Sequence, residues 1–373
     1  MRIAIDIRSL LEPFPSGVSE YTYQIVKHLF LVDQVNEYFL FCNSAGGVPR
    51  FARELTKNAR ANPVVRRWPN KAFNTSLFLL GYPHLDSLAG GVDIFFVPNL
   101  NFFAVSRRCR LVVTVHDLSF RYPSFYPVKG RLWHRLVRPR RLLEQAHAVI
   151  AVSESTKREV QRLYGVPDKK IVTIPLGINA ARFATKDVAR QEAVLEKYRL
   201  TPPFVLFLGN VEQRKNIDGL LAAWELLQRR YQLPCQLAVA GYLADKNTPR
   251  RYPAVRFLGY VPEADKQDLY AAALAFAYPS YYEGFGLPVL EAMAAGLPVV
   301  TSFGTSLPEV VGSAALLVDP YNTEELASAM HQIITSGSLR QKLAERGKIA
   351  AKQFSWEKAA RATLEVFQRA MTG

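Results

Sequence analysis

Residues 278–300 read YPSYYEGFGLPVLEAMAAGLPVV, and the fold turns on how this stretch is read. Ahead of it, Leu274–Tyr278 (LAFAY) is a short apolar run of the kind expected for a parallel strand buried on both faces. Pro288 suits the first turn of a helix, and Gly296-Leu297-Pro298 stops that helix before a second apolar run. The stretch is therefore strand, glycine loop, helix, strand. Gly284 and Gly286 let backbone approach a ligand where the helix begins, and the N–H groups of a helix start favour an anion. Glu283 and Glu291, with seven residues between them, fall in the loop and about one turn into the helix. Carboxylates beside an anion site make sense if sugar hydroxyls are present, because a carboxylate accepts two hydrogen bonds from a vicinal diol. The same spacing also fits an ordinary connection whose glutamates are solvated charges favoured by the helix dipole.

The same grammar appears in Phe204–Trp224, FVLFLGNVEQRKNIDGLLAAW. An apolar strand leads to Gly209 and Asn210, then to Arg214 and Lys215, then to the amphipathic run Ile217, Leu220, Leu221, Trp224. Cations at a helix N-terminus oppose the macrodipole and need compensation. A bound diphosphate supplies it, with Arg as a fork and Lys as a point charge. Gln236–Tyr242, Val255–Val261 and Ala315–Pro320 continue the strands of this half, and Leu307–Val311 lies between them. In the first half Met1–Ile7, Glu37–Cys42, Val92–Pro98, Leu111–His116, Ala148–Thr156 and Ile171–Ile178 begin with or form strands, separated as parallel sheets require. Gly17 precedes a helix of roughly Glu20 to Leu31, and His116-Asp117 follows directly on a strand. Ligands of open α/β sheets bind off such carboxyl ends.

Glu283 and Glu291 with Gly-Phe-Gly-Leu-Pro between them resemble the EX7E motif of retaining GT-B glycosyltransferases of family GT4, and the companion elements cover nearly the whole chain. The resemblance implies two Rossmann-like α/β domains with parallel sheets facing across a cleft, and a C-terminal helix crossing back to the N-terminal domain. The expected divisions are 1–190 for the acceptor, 191–354 for the nucleotide sugar and 355–373 for the returning helix. It implies that Gly17 faces the donor diphosphate and that His116 contacts the donor sugar. Gly209, Asn210, Arg214 and Lys215 would hold the diphosphate, and Gly259, Tyr260 and Val261 would border the base. Glu283 would hold sugar hydroxyls, the backbone of Gly284, Phe285, Gly286 and Leu287 would meet sugar and phosphate oxygens, and Glu291 would take the ribose diol. Many members have Arg directly after the glycine, where this chain has Asn210, so Arg214 and Lys215 carry the charge alone. In the family's usual account the substitution occurs on one face without a covalent intermediate. The HDL and RKN surroundings look most like mannosyltransferases using GDP-mannose. UDP-hexoses stay open, as do a sugar phosphorylase and a sugar-nucleotide epimerase on the same fold.

Composition bounds the rest. With 373 residues, 49% of them hydrophobic, the chain can bury two cores. Cys42, Cys109 and Cys235 are scattered without metal spacing, so no metal and no cofactor beyond the nucleotide-sugar co-substrate is expected. No apolar run is long enough to span a bilayer, and charges throughout residues 1–20 argue against a signal peptide, so a cytoplasmic location is expected. The net charge of +15 is lopsided: residues 1–190 hold 28 Lys and Arg against 14 Asp and Glu, the remainder 19 against 18. Val128–Leu143 concentrates it, with Lys129, Arg131, Arg135, Arg138, Arg140 and Arg141 around an apolar face of Leu132, Trp133, Leu136 and Val137. Pro139 kinks or ends the first helix there. Such a segment reads as a surface for anionic lipid, at ~1 kcal/mol per basic residue, or as a core-facing helix with a solvated basic side. Arg66-Arg67-Trp68 and Arg107-Arg108-Cys109-Arg110 add to the first alternative, which predicts a peripheral protein on the inner membrane face and a lipid-linked or cell-envelope saccharide as acceptor. Nucleic acid is not expected as a partner, since no recognition motif accompanies the charge. The sequence leaves the oligomeric state open.

Overall fold

The computed structural model describes residues 1–12, 16–47, 52–125, 128–184, 187–242, 252 and 255–372. The chain divides into Met1–Gly177 with Ser355–Gly373, and Ile178–Phe354. In the first unit β1 (Arg2–Asp6), β2 (Glu37–Asn43), β3 (Ala61–Arg66), β4 (Ile94–Val97), β5 (Arg110–Val115), β6 (Ala148–Ala151) and β7 (Ile171–Thr173) form one sheet. Its order is β3-β2-β1-β4-β5-β6-β7, and every pairing is parallel. Consecutive core residues such as Ile3, Ala4, Ile5 and Leu111, Val112, Val113 are buried on both faces, which is why these strands read as continuous apolar runs. The order reverses between β1 and β4, so the carboxyl ends of those strands border a crevice where ligands of such sheets bind.

The strand β3 has no counterpart among the sequence expectations. It carries Pro63 and two exposed residues, a composition that argues against a central strand and suits the sheet edge it occupies. The helix Gly17–Val32 starts with a reciprocal cap between Ser16 and Ser19, and the final helix Trp356–Thr372 packs against it. That final helix buries Trp356, Ala360, Thr363 and Phe367, with the Phe367 ring 5.2 Å from Phe96 of β4.

In the second unit β8 (Phe204–Leu208), β9 (Gln236–Ala240), β10 (Val255–Gly259), β11 (Ala275–Tyr278), β12 (Val299–Ser302) and β13 (Ala315–Val318) form a parallel sheet. Its order is β10-β9-β8-β11-β12-β13, with the reversal between β8 and β11. The division between units falls at Gly177/Ile178 and not at 190/191. The charged residues 180–198 form helices Ala180–Ala184 and Val188–Tyr198. Arg182 pairs with Glu263 at 2.6 Å, Arg190 with Asp268 at 2.9 Å and Lys197 with Asp265 at 2.6 Å, all on the helix Glu263–Ala272. These partners lie far along the chain, where local pattern does not reveal them.

The basic segment of the first unit is two helices, Val128–Val137 and Pro139–Gln145, with Arg138 between them in the left-handed region at φ 53. Pro139 opens the second helix, where its missing N–H is harmless. The expected single apolar face is split. Val137 is buried, whereas Leu132, Trp133 and Leu136 are exposed. The Lys129 side chain lies outside the described residues.

Candidate active site

The reversal between β8 and β11 brings two loops side by side at their carboxyl ends, 209–216 after β8 and 279–286 after β11. After β8 the chain makes a 3-10 turn, Gln213–Lys215, and Asn216 caps the helix Ile217–Tyr231. The Asn216 side chain accepts from the Gly219 N–H at 3.2 Å and donates to the Pro320 carbonyl at 2.6 Å, so the cap is tied to the loop after β13. Lys215 is thereby turned inward. Its Nζ donates to Oε1 of Glu283 and to the Tyr278 hydroxyl. Arg214 donates from Nη1 to Glu283 Oε2 at 3.2 Å and to the Tyr282 carbonyl at 3.3 Å, and from Nε to Glu212 at 2.8 Å. The helix-start cations expected to need a phosphate find a buried carboxylate as well.

Burial alone would raise the Glu283 pKa, but Lys215 and then Arg214 hold it down at about 2. Lys215 is shifted below its usual value by burial and by Arg214, with Glu283 opposing. A lysine is a point charge that tolerates such a pocket only with a partner of this kind. The Tyr278 ring stacks on Phe207 and Phe276 at centroid distances of 5.5 and 5.6 Å, and burial raises its phenol well above the usual value. Its hydroxyl is therefore a neutral hydrogen-bonding group beside the ion pair.

Glu283 is held at the backbone as well. Its N–H donates to Thr305 Oγ1 at 3.0 Å, and the Ser306 hydroxyl reaches its carbonyl at 3.0 Å and that of Phe285 at 3.1 Å. Thr305 sits at φ 55, unusual for a β-branched residue. Gly286 starts the helix Leu287–Ala294 at φ 102, and a Cβ there would lie 2.6 Å from Leu307 Cδ2. Only glycine fits, so the loop can turn sharply from Phe285 into the helix. In that helix Glu291 accepts from the buried Tyr270 hydroxyl at 2.8 Å.

The structure brings Arg214, Lys215 and Glu283 into one cluster, with Gly284, Phe285, Gly286 and Leu287 continuing from it and Glu291 on the helix that follows. Gly209 ends the same crevice, donating its N–H to the Ala240 carbonyl at 2.9 Å, and Asn210 is exposed beside it. Gly259, Tyr260 and Val261 lie at the end of the edge strand β10, with β9 between them and β8. His116 and Gly17 belong to the other unit. His116 Nε2 donates to the Pro98 carbonyl at 2.8 Å, leaving Nδ1 as the lone-pair nitrogen, and its ring stands edge-on to Tyr21 at 4.7 Å. Burial lowers its pKa, so the imidazole is neutral. Gly17 is the first residue of its helix, next to the Ser16–Ser19 cap.

Of the surface arginines, Arg138 stacks on Phe78, Arg140 faces Tyr164 and Glu144, and Arg135 and Arg141 are exposed. Arg131 keeps its Nε buried with no hydrogen-bond partner among the described residues, and Trp133 packs edge-on to Phe102 at 6.0 Å. Sequence reasoning missed Tyr278, Tyr270, Thr305 and Ser306. A buried tyrosine hydroxyl needs a partner, but which partner it takes is a property of the assembled sheet.

A family profile described as Glycosyl transferases group 1 matches residues 191–350, and one described as Glycosyltransferase Family 4 matches residues 15–182. The O-antigen chain mannosyltransferase B of Escherichia coli is 33% identical over 372 residues, spanning 95% of this chain and 96% of that protein. Among solved structures, the sucrose-phosphate synthase of Thermosynechococcus elongatus matches with a TM-score of 0.74 at 21% identity, covering 100% of this chain and 99% of that one. HepE of Anabaena in complex with UDP and glucose matches with a TM-score of 0.73 at 18% identity, covering 99% and 100%. At these identities the structural likenesses establish the fold, which is GT-B along the whole chain.

Proposed function

The chain belongs to glycosyltransferase family 4, and from that premise we propose that it is a retaining mannosyltransferase acting from GDP-mannose on a lipid-linked, cell-envelope saccharide. The observation that carries the donor site is the Arg214–Lys215–Glu283 cluster at the reversal of the second sheet. Mannose and an envelope saccharide are supported by the name of the relative that is alike along nearly its full length.

In this reading Arg214 and Lys215 stabilise the charge that develops on the departing diphosphate, so the transfer proceeds without a metal. Glu283 already accepts from two cations, yet each carboxylate oxygen has a second lone pair with which to take a sugar hydroxyl. The backbone from Gly284 to Leu287 turns toward sugar and phosphate oxygens, and Glu291 receives the ribose diol. The first unit binds the acceptor and rests peripherally on the inner membrane face through its basic segment. No described helix is long and apolar enough to cross a bilayer. A second reading, a UDP-sugar donor, is favoured by the UDP and glucose bound in HepE.

Thermal unfolding with GDP-mannose, UDP-glucose, UDP-GlcNAc, GDP and UDP, with and without EDTA, tests the donor. GDP-mannose and GDP are expected to raise Tm, with no effect of EDTA and with the shift lost in R214A and E291A. A shift with uridine nucleotides alone moves the assignment to the second reading. No shift with any nucleotide removes the donor site.

A further inference from the structure

Leu79, Leu80 and Tyr82 lie at the end of the helix Asn70–Leu79 and are 66%, 75% and 62% exposed. The turn that carries them is firmly built. Phe73 and Leu77 anchor the helix in the core, the Leu80 N–H donates to the Ser76 carbonyl at 2.9 Å, and the Ser76 hydroxyl donates to the Tyr82 carbonyl at 2.5 Å. Gly81 supplies the left-handed step at φ 62. Three large apolar side chains are thus held outward by a fixed turn.

This turn adjoins the basic segment. The Arg138 guanidinium lies 4.0 Å from the Phe78 ring centroid and donates from Nη1 to the Phe78 carbonyl at 3.3 Å. Arg141 Nη2 stands 3.7 Å from the position a Gly81 Cβ would take. Exposed Val128, Leu132, Trp133 and Leu136 lie on the helix that runs into Arg138. The charge carried by the two stretches themselves has one sign, with Glu144 following directly and pairing with Arg140. No Asp or Glu occurs in residues 55–85 or 118–143, which hold five and seven Lys and Arg. Two acid-free stretches, distant in sequence, are folded against each other.

We propose that the turn Leu79–Tyr82 is a wedge that enters the acyl region of an anionic bilayer, with Arg135, Arg138 and Arg141 at the phosphate headgroups beside it. This rests on the peripheral reading above and assigns the inserting element within it. Apolar tips beside Arg138 and Arg141, with Tyr82 among them and exposed Trp133 on the helix that runs into Arg138, are the composition of a water–lipid boundary. A uniformly anionic surface complements two stretches that lack any acid.

The experiment is cosedimentation of the full chain with vesicles of phosphatidylglycerol and phosphatidylcholine (1:1), and with phosphatidylcholine alone, at physiological salt. L79S/L80S/Y82S and R135Q/R138Q/R141Q are compared with the wild type, and an L80C variant carries an environment-sensitive fluorophore. The wedge predicts wild-type binding to the anionic vesicles only, a loss of more than ~10-fold in L79S/L80S/Y82S with the nucleotide-induced Tm shift retained, and blue-shifted emission at position 80. If L79S/L80S/Y82S binds as the wild type while R135Q/R138Q/R141Q does not, the wedge is overturned and the peripheral reading stands. If the wild type ignores both vesicles, both fail. If the wild type sediments as a dimer that L79S/L80S/Y82S converts to a monomer, the face is an interface between copies and the wedge is again overturned.

Discussion

At the reversal of the second sheet, Arg214 and Lys215 share the buried Glu283, and a second carboxylate, Glu212, 43% exposed, takes the Arg214 Nε at 2.8 Å. At the reversal of the first sheet the end of β1 carries Asp6 and Arg8, both buried and joined at 2.7 Å, and Arg8 also donates to the Phe102 carbonyl at 2.7 Å. One architecture holds both groups, yet their charge counts differ. The Asp6–Arg8 pair is one against one and closes a turn. The second cluster has two cations on one buried carboxylate, with the more exposed Glu212 on the outer side of Arg214, and in the proposed reading the donor diphosphate adds the negative charge inside. Near the first reversal the neutral His116 takes the strand-end position after β5. The two pairs are equally buried, so burial does not separate them; the number of cations sharing the buried carboxylate does.

The largest expected effect breaks the unbalanced cluster. E283Q leaves the Lys215 ammonium buried without its carboxylate and is expected to destabilise the fold by about 3–5 kcal/mol. Turnover should fall by ~10²-fold or more through lost positioning of the donor sugar. Replacing both partners, E283Q with K215M, should recover much of the stability and none of the turnover. Recovery of both would show that the pair is purely structural. The pH dependence follows the same logic. Glu283 titrates at about 2 in the fold, below its usual 4.5, so its stabilisation is complete above about 4.5 and fades as pH falls toward 2. Acid unfolding of the wild type should steepen in that window, and E283Q should lack the added slope.

A second prediction sharpens the contrast from the other side. D6N breaks a pair as buried as Lys215–Glu283 and should cost about 3 kcal/mol, measured by urea unfolding. The nucleotide-induced Tm shift should persist, because the balanced pair is structural. Loss of that shift in a folded D6N protein would make both reversals part of ligand binding and end the distinction.

The strand–loop–helix–strand character of 275–302 was legible because each step has a local cause: an apolar run, Gly286 where φ is positive, Pro288 in the first helical turn. The glutamates and the basic pair were legible as site candidates for the same reason. The meeting of Lys215 with Glu283 was not, since the two are 68 residues apart and only the β8–β11 pairing juxtaposes them. Tyr278 read as the apolar end of a strand, although its hydroxyl faces the lysine. The edge strand β3 was hidden by Pro63, and the unit boundary by ion pairs to the helix Glu263–Ala272. Spacing along the chain carried the motifs, whereas their partners depended on sheet order.

The smallest effect concerns Tyr270, whose hydroxyl donates to Glu291 at 2.8 Å and reaches the Pro288 carbonyl at 3.4 Å. The tyrosine is buried, with burial and Glu291 together holding its phenol well above its usual range, so it stays a donor to the carboxylate at any working pH. Y270F removes that donor and little volume. Because Glu291 is partly exposed, water replaces the lost hydrogen bond, and the net cost should sit near the low end of about 0.5–1.5 kcal/mol. Calorimetric titration with the stabilising nucleotide should then show affinity reduced roughly two- to five-fold, with stability nearly unchanged. A loss well beyond ten-fold would mean that Tyr270 fixes the rotamer Glu291 needs to receive the ribose diol. No loss at all, in a protein where E291A abolishes binding, would mean that the helix backbone alone positions Glu291, and that the hydroxyl serves only the core beneath it.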